Sequence, residues 1–92
     1  MANTRSAKKR IRQSEKRRLR NRAVRTRVRT ETKKVLRAVA AGDRETAAQA
    51  YVQAQSVIDR AVKRGVLHWR TAARRKSRLA RRVHQLAAGS GA

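Results

Sequence analysis

The chain has no cysteine, no proline and no phenylalanine, and Tyr51 and Trp69 are its only aromatic residues. Without cysteine there is no disulfide, no thiolate nucleophile and no Cys-type zinc site. Five acids and two histidines leave little material for acid–base chemistry. No carboxylate pair, Ser/His/Asp set or phosphate-cradling glycine loop is visible. His68 and His84 each stand alone, so no metal and no cofactor are expected, and neither is an enzyme. No run of about 18 apolar residues exists to cross a membrane. Met1-Ala2-Asn3-Thr4-Arg5 leads into charge rather than an apolar signal core, so the expected location is cytoplasmic. With proline absent and only four glycines, helix can run long. The few large apolar residues, mostly Val, predict a thin and marginally stable core.

What the chain has instead is positive charge. Its 92 residues carry 27 Lys+Arg and a net charge of +22. A field this strong repels itself and is relieved by a polyanion, most commonly nucleic acid. The charge is divided. Residues 1–29 hold 13 Lys/Arg and one acid, residues 30–62 five and four, and residues 63–92 nine and none. Two basic segments therefore flank a nearly neutral middle. A solvated tail would put its charge at one end, whereas two blocks imply a fold that presents both to one partner.

Periodicity supplies that fold. Val24, Val28, Val35, Leu36 and Val39 mark one helical face, with Thr32 filling the missing step. Ala41-Gly42-Asp43 reads as a stop and restart, Gly42 at a left-handed C′ position and Asp43 at the next N-cap. Ala47, Ala48, Tyr51, Ala54, Ile58, Ala61 and Val62 form the face of a second helix that ends at Gly65. A third presents Ala72, Ala73, Leu79, Ala80, Val83 and Leu86 inward, and Trp69 is expected to cover the end of the core, with base stacking as its lesser alternative. No stretch alternates with period two. The expectation is an all-α three-helix bundle in one domain, with helices at about 5–41, 44–64 and 69–87. Residues 1–23 would form a basic helical extension, 24–87 the bundle and 88–92 a flexible tail. Only Ile11 and Leu19 are large and apolar in residues 5–23, so the extension should project from the bundle. It is expected to fray when free and to be helical when bound, since like charges three and four apart oppose a helix.

Arg outnumbers Lys 20 to 7, and its planar fork matches phosphate bidentately and stacks on bases. In the extension Arg5, Lys8, Lys9, Arg10, Arg12, Lys16, Arg17, Arg18, Arg20 and Arg22 cover every side, and Arg25 and Arg29 continue the run. A helix lying on a duplex needs one basic stripe. A helix charged all round suits a crevice with phosphates on several sides, such as folded RNA provides. Asn3, Ser6, Gln13 and Asn21 add donors and acceptors for phosphates, 2′-hydroxyls or base edges, with Ser6, Arg10, Gln13, Arg17 and Asn21 on one face. Thr4 or Ser6 could equally serve as the N-cap. A second cluster holds Arg70, Arg74, Arg75, Lys76, Arg78, Arg81 and Arg82. Arg70, Arg74, Arg78 and Arg81 share a face, although Arg81 and Arg82 could instead complement the helix C-terminus. His68 could cap the third helix, contact RNA or fill a pocket. Asp43, Glu45 and Asp59 suit capping, helix-dipole and ion-pair roles.

Two rivals are weaker. A basic-zipper dimer on DNA needs more than the two and a half or so heptads between Val24 and Gly42, and two further helices can close the core within one chain. A membrane-active cationic helix needs an apolar face beneath its charge, which residues 5–23 lack.

The sequence closely resembles the family of bacterial small-subunit ribosomal proteins numbered twenty, to about Ala87. The resemblance is carried by Met1-Ala2-Asn3, Ser6-Ala7-Lys8-Lys9-Arg10, Gln13-Ser14-Glu15-Lys16, Arg29-Thr30, Lys33-Lys34-Val35 and Ala41-Gly42-Asp43. It continues in Ile58-Asp59-Arg60-Ala61, Gly65-Val66-Leu67-His68 and Ala72-Ala73-Arg74-Arg75-Lys76-Ser77-Arg78-Leu79. Each stretch alone is common; their order and spacing are specific. The resemblance implies a three-helix bundle whose long first helix enters small-subunit (16S) ribosomal RNA. It also implies a monomer beside other ribosomal components and no membrane partner. It carries RNA contacts to Ser6, Lys8, Lys9, Arg10, Gln13, Arg17, Asn21, Arg74, Arg75, Lys76 and Arg78. Trp69 departs from it, as does the Gly-Ser tail.

Overall fold

The computed structural model describes residues 4–89. Three helices follow one another: α1 (Arg5–Ala40), α2 (Arg44–Lys63) and α3 (Trp69–Gly89), with no strand among the described residues. α1 and α2 each stop one residue before the expected end. α3 runs through Ala88 and Gly89, two residues past the expected end at 87, and so takes up the first part of the expected tail; residues 90–92 lie outside the described residues.

Local chemistry sets these limits. The Thr4 hydroxyl accepts from the Ala7 amide at 3.2 Å and so caps α1. At the other end Gly42 adopts φ 73°. The Gly42 amide donates to the Val39 carbonyl and the Asp43 amide to the Ala38 carbonyl, both at 3.1 Å. These paired bonds satisfy carbonyls left open at a helix end and require a left-handed residue, hence glycine. Asp43 then caps α2, accepting from the Thr46 amide at 3.1 Å and the Thr46 hydroxyl at 2.6 Å. These bonds, the hydroxyl's first, hold its carboxyl below the ordinary value. The same stop recurs after α2. Gly65 has φ 73°, and the Val66 amide reaches back to the Ala61 carbonyl at 2.9 Å.

α2 is the middle element, lying along the second half of α1 and carrying most of the contact with α3. The buried core is small-sided: Ala38, Ala47, Ala54, Ala61 and Ala72 with Val28, Val35, Val57, Ile58 and Leu79. Alanine seams let helix axes approach closely but bury little apolar area, so the core is thin, as the composition implied. No charged or polar side chain among the described residues is buried. Thr32 occupies its step in the stripe by donating its hydroxyl to the Val28 carbonyl at 2.8 Å.

Three expectations fail. Ala48 and Ala73 are exposed, and Val57 is buried in their stead. At about 100° per residue, Ala48 and Ala73 lie roughly a quarter-turn or more from the middle of each buried face. Val57 is buried because α2 is covered from two sides. Trp69 does not cover the core: it is 61% exposed. It sits at the first position of α3, stacked on the neighbouring His68.

The molecule is long and narrow, 68 × 22 × 15 Å. Its length comes from α1, whose 36 residues span about 54 Å. Residues 8–20 are all exposed, and burial begins at Asn21 and Val24. The apolar stripe of α1 is consumed by α2 and α3 within the chain, which removes the seam a zipper would need.

Candidate nucleic-acid interface

The projecting half of α1 is a rod of positive charge. All ten Lys and Arg side chains from Arg5 to Arg22 are exposed. Helical rotation leaves no sector wider than about 80° without one. Ile11 and Leu19 are 52% and 62% exposed, too isolated to form an apolar face. Ser6 and Gln13 are exposed among the cations, and Asn21 is half-buried where the rod enters the bundle. Ser14, Arg18, Arg22, Arg25 and Arg29 follow one another at three- and four-residue steps along a shallow groove, with Arg17 and Asn21 beside them. Asn3 lies outside the described residues.

α3 presents the second surface. Arg70, Arg74, Arg78 and Arg81 form an exposed row opposite the buried Ala72 and Leu79, flanked by exposed Arg75 and Arg82. Arg78, Arg81 and Arg82 border a cleft that reaches Val39 on α1. Lys76 stands apart from the row. It points to the α2 side, half-buried, with its Nζ 2.7 Å from a carboxylate oxygen of Asp59. Helical rotation puts it about 155° from the centre of the arginine row, so its first partner is a protein carboxylate.

His68 caps α3. Its Nδ1 accepts from the Arg70 amide at 3.1 Å and its carbonyl accepts from the Ala72 amide at 3.0 Å. The imidazole is exposed.

The fold also gathers a group of cations that linear reading separates. Arg27 of α1 meets Arg60 of α2 and Arg64, just beyond its end, around a cavity of ≈ 70 Å³ floored by Val24 and Val57. Arg60 belongs to the nearly neutral middle segment and Arg64 borders it. Their i, i+4 spacing is visible in the sequence, but the register of α1 against α2 is not.

Fold and charge thus define a basic helical chain with two cationic surfaces held on one narrow bundle. The family described as ribosomal protein S20 matches residues 2–84. A small ribosomal subunit protein bS20 of Nitratidesulfovibrio vulgaris (strain DP4) is 54% identical over 87 residues, which are 95% of this chain and 100% of the relative. Relatives of the same name from Shewanella baltica (strain OS155) and Shewanella sp. (strain ANA-3) are each 49% identical over 88 residues, 96% of this chain and 100% of theirs. The chain belongs to the ribosomal protein S20 family.

Proposed function

We propose that the chain is a structural component of the small ribosomal subunit that binds small-subunit (16S) ribosomal RNA directly and stabilises its folding and assembly. One observation carries this: a family match over nearly the whole chain, on a molecule whose exposed helical rod is cationic on every side. The rod, from Ser6 to Arg22 with Arg25 and Arg29 behind it, enters an RNA crevice and meets phosphates on several sides. The α3 row from Arg70 to Arg82, with His68 at its head, grips a second RNA surface. The near-neutral α2 holds the two surfaces in register and makes few contacts of its own. A monomer working in the cytoplasmic subunit suffices, because the apolar stripes are already paired within the chain. Both surfaces release counterions on binding, so affinity falls with salt for any polyanion. Shape distinguishes the ligand, since folded RNA brings phosphates close on several sides and isolated B-form DNA does not.

Competition tests the reading. The full chain, bound to labelled small-subunit ribosomal RNA in about 0.15–0.3 M salt, is challenged with equal masses of unlabelled RNA and duplex DNA. Displacement by the RNA at far lower concentration supports the reading; equal displacement overturns it.

A further inference from the structure

Trp69 is the largest side chain in the protein and is left 61% exposed on a molecule with few apolar residues to spare. It is not bare. The His68 ring lies 5.7 Å from it, centroid to centroid, with 28° between planes. The Arg70 guanidinium carbon lies 5.5 Å from the Trp69 ring centroid. The His68 cap fixes this arrangement: its Nδ1 is occupied by the Arg70 amide, so the neutral imidazole carries its proton on Nε2 as a donor. An indole exposed to this extent, flanked by a guanidinium and an imidazole at the head of the arginine row, matches one ligand chemistry. The indole stacks on a planar aromatic, and the guanidinium and the imidazole Nε2–H meet the phosphate attached to it.

We infer that Trp69, beside His68 and Arg70, offers its exposed ring surface as a stacking platform for one unpaired nucleobase, with Arg70 and His68 Nε2 engaging its phosphate. The inference rests on the proposal that the chain binds small-subunit ribosomal RNA, and it adds a base-stacking contact at the head of the α3 row. Charge decides the occupant. The segment from residue 63 onward carries nine Lys/Arg and no acid, which repels a basic protein surface and attracts an unstacked nucleotide of a loop or bulge.

Trp69 is the only tryptophan, so its fluorescence reports on this position alone. The full chain is titrated with transcribed small-subunit ribosomal RNA while retention on a filter measures binding independently. Quenching of Trp69 in step with retention is expected. Trp69→Ala should bind roughly 5- to 150-fold more weakly, the range typical of one base–aromatic stack. Trp69→Tyr should stay within about threefold of the parent because it keeps a stacking face. Chemical probing of the Trp69→Ala complex should lose protection at one unpaired base while the rest of the footprint persists. Circular dichroism checks that this exposed substitution keeps the helices. Undiminished binding by Trp69→Ala with an unchanged footprint overturns the inference and leaves the RNA-binding proposal standing. Absence of retention by the parent chain overturns both.

Discussion

Ile58 has no exposed surface and sits at the centre of a core made largely of alanine and valine. Truncating it to alanine leaves a cavity that thin helices cannot collapse around. We expect Ile58→Ala to cost about 2–5 kcal/mol. A domain of this size has only about 3–5 kcal/mol from its core, so a urea titration should find the variant largely unfolded near neutral pH. Asp43 makes the second residue-scale prediction. Its folded value lies below the ordinary 3.8, so its contribution is complete above 3.8 and is lost as pH falls through the lowered value. Asp43→Ala should therefore melt at lower temperature than the parent at pH 7, and the gap should narrow in strong acid, where only a neutral acceptor remains. Asp43→Asn keeps a neutral acceptor, so it should retain most of the melting temperature and lose that acid dependence. These cap residues were legible in the sequence because capping is local: Gly42, Asp43 and Gly65 act on amides and carbonyls within a few positions. Trp69 and Lys76 were not, because their places depend on how α3 is rotated against α2. A row of basic residues hides that rotation, and only Asp59 at 2.7 Å shows which way Lys76 turns.

At the scale of elements, α1 is one helix with two kinds of support. Its second half is stabilised by packing through Val28, Val35 and Ala38, while residues 8–20 have only their own backbone bonds and mutually repelling side chains. Amide hydrogen exchange in the RNA-free protein should therefore show slow exchange at residues 28–39 and much faster exchange at residues 8–20. Equal protection along all of α1 would contradict this. Removing residues 1–20 deletes no buried side chain among the described residues. Circular dichroism should find the remaining helices intact and melting near the parent temperature. The division of α1 could be read from the chain because the apolar stripe begins at Val24 and the ten preceding cations do not fit it. The exposure of Ala48 and Ala73 could not, since alanine is tolerated on either side of a helix and its pattern carries little phase information.

For the whole molecule, what matters is the arrangement of the +22 charge. Folding segregates it into a rod, a row on α3 and the group of Arg27, Arg60 and Arg64 where α1 and α2 meet. The first two were legible as blocks of sequence; the third exists only because two helices pack in a given register. Hydroxyl-radical footprinting of small-subunit ribosomal RNA, with the full chain and with the form lacking residues 1–20, tests most directly whether the rod and the α3 row grip different parts of one RNA. The account predicts two sets of protections with the full chain. With the shortened form one set vanishes, while the other survives at raised protein concentration. An identical footprint from both forms, or loss of every protection from a shortened form that is still helical at saturating concentration, would contradict it.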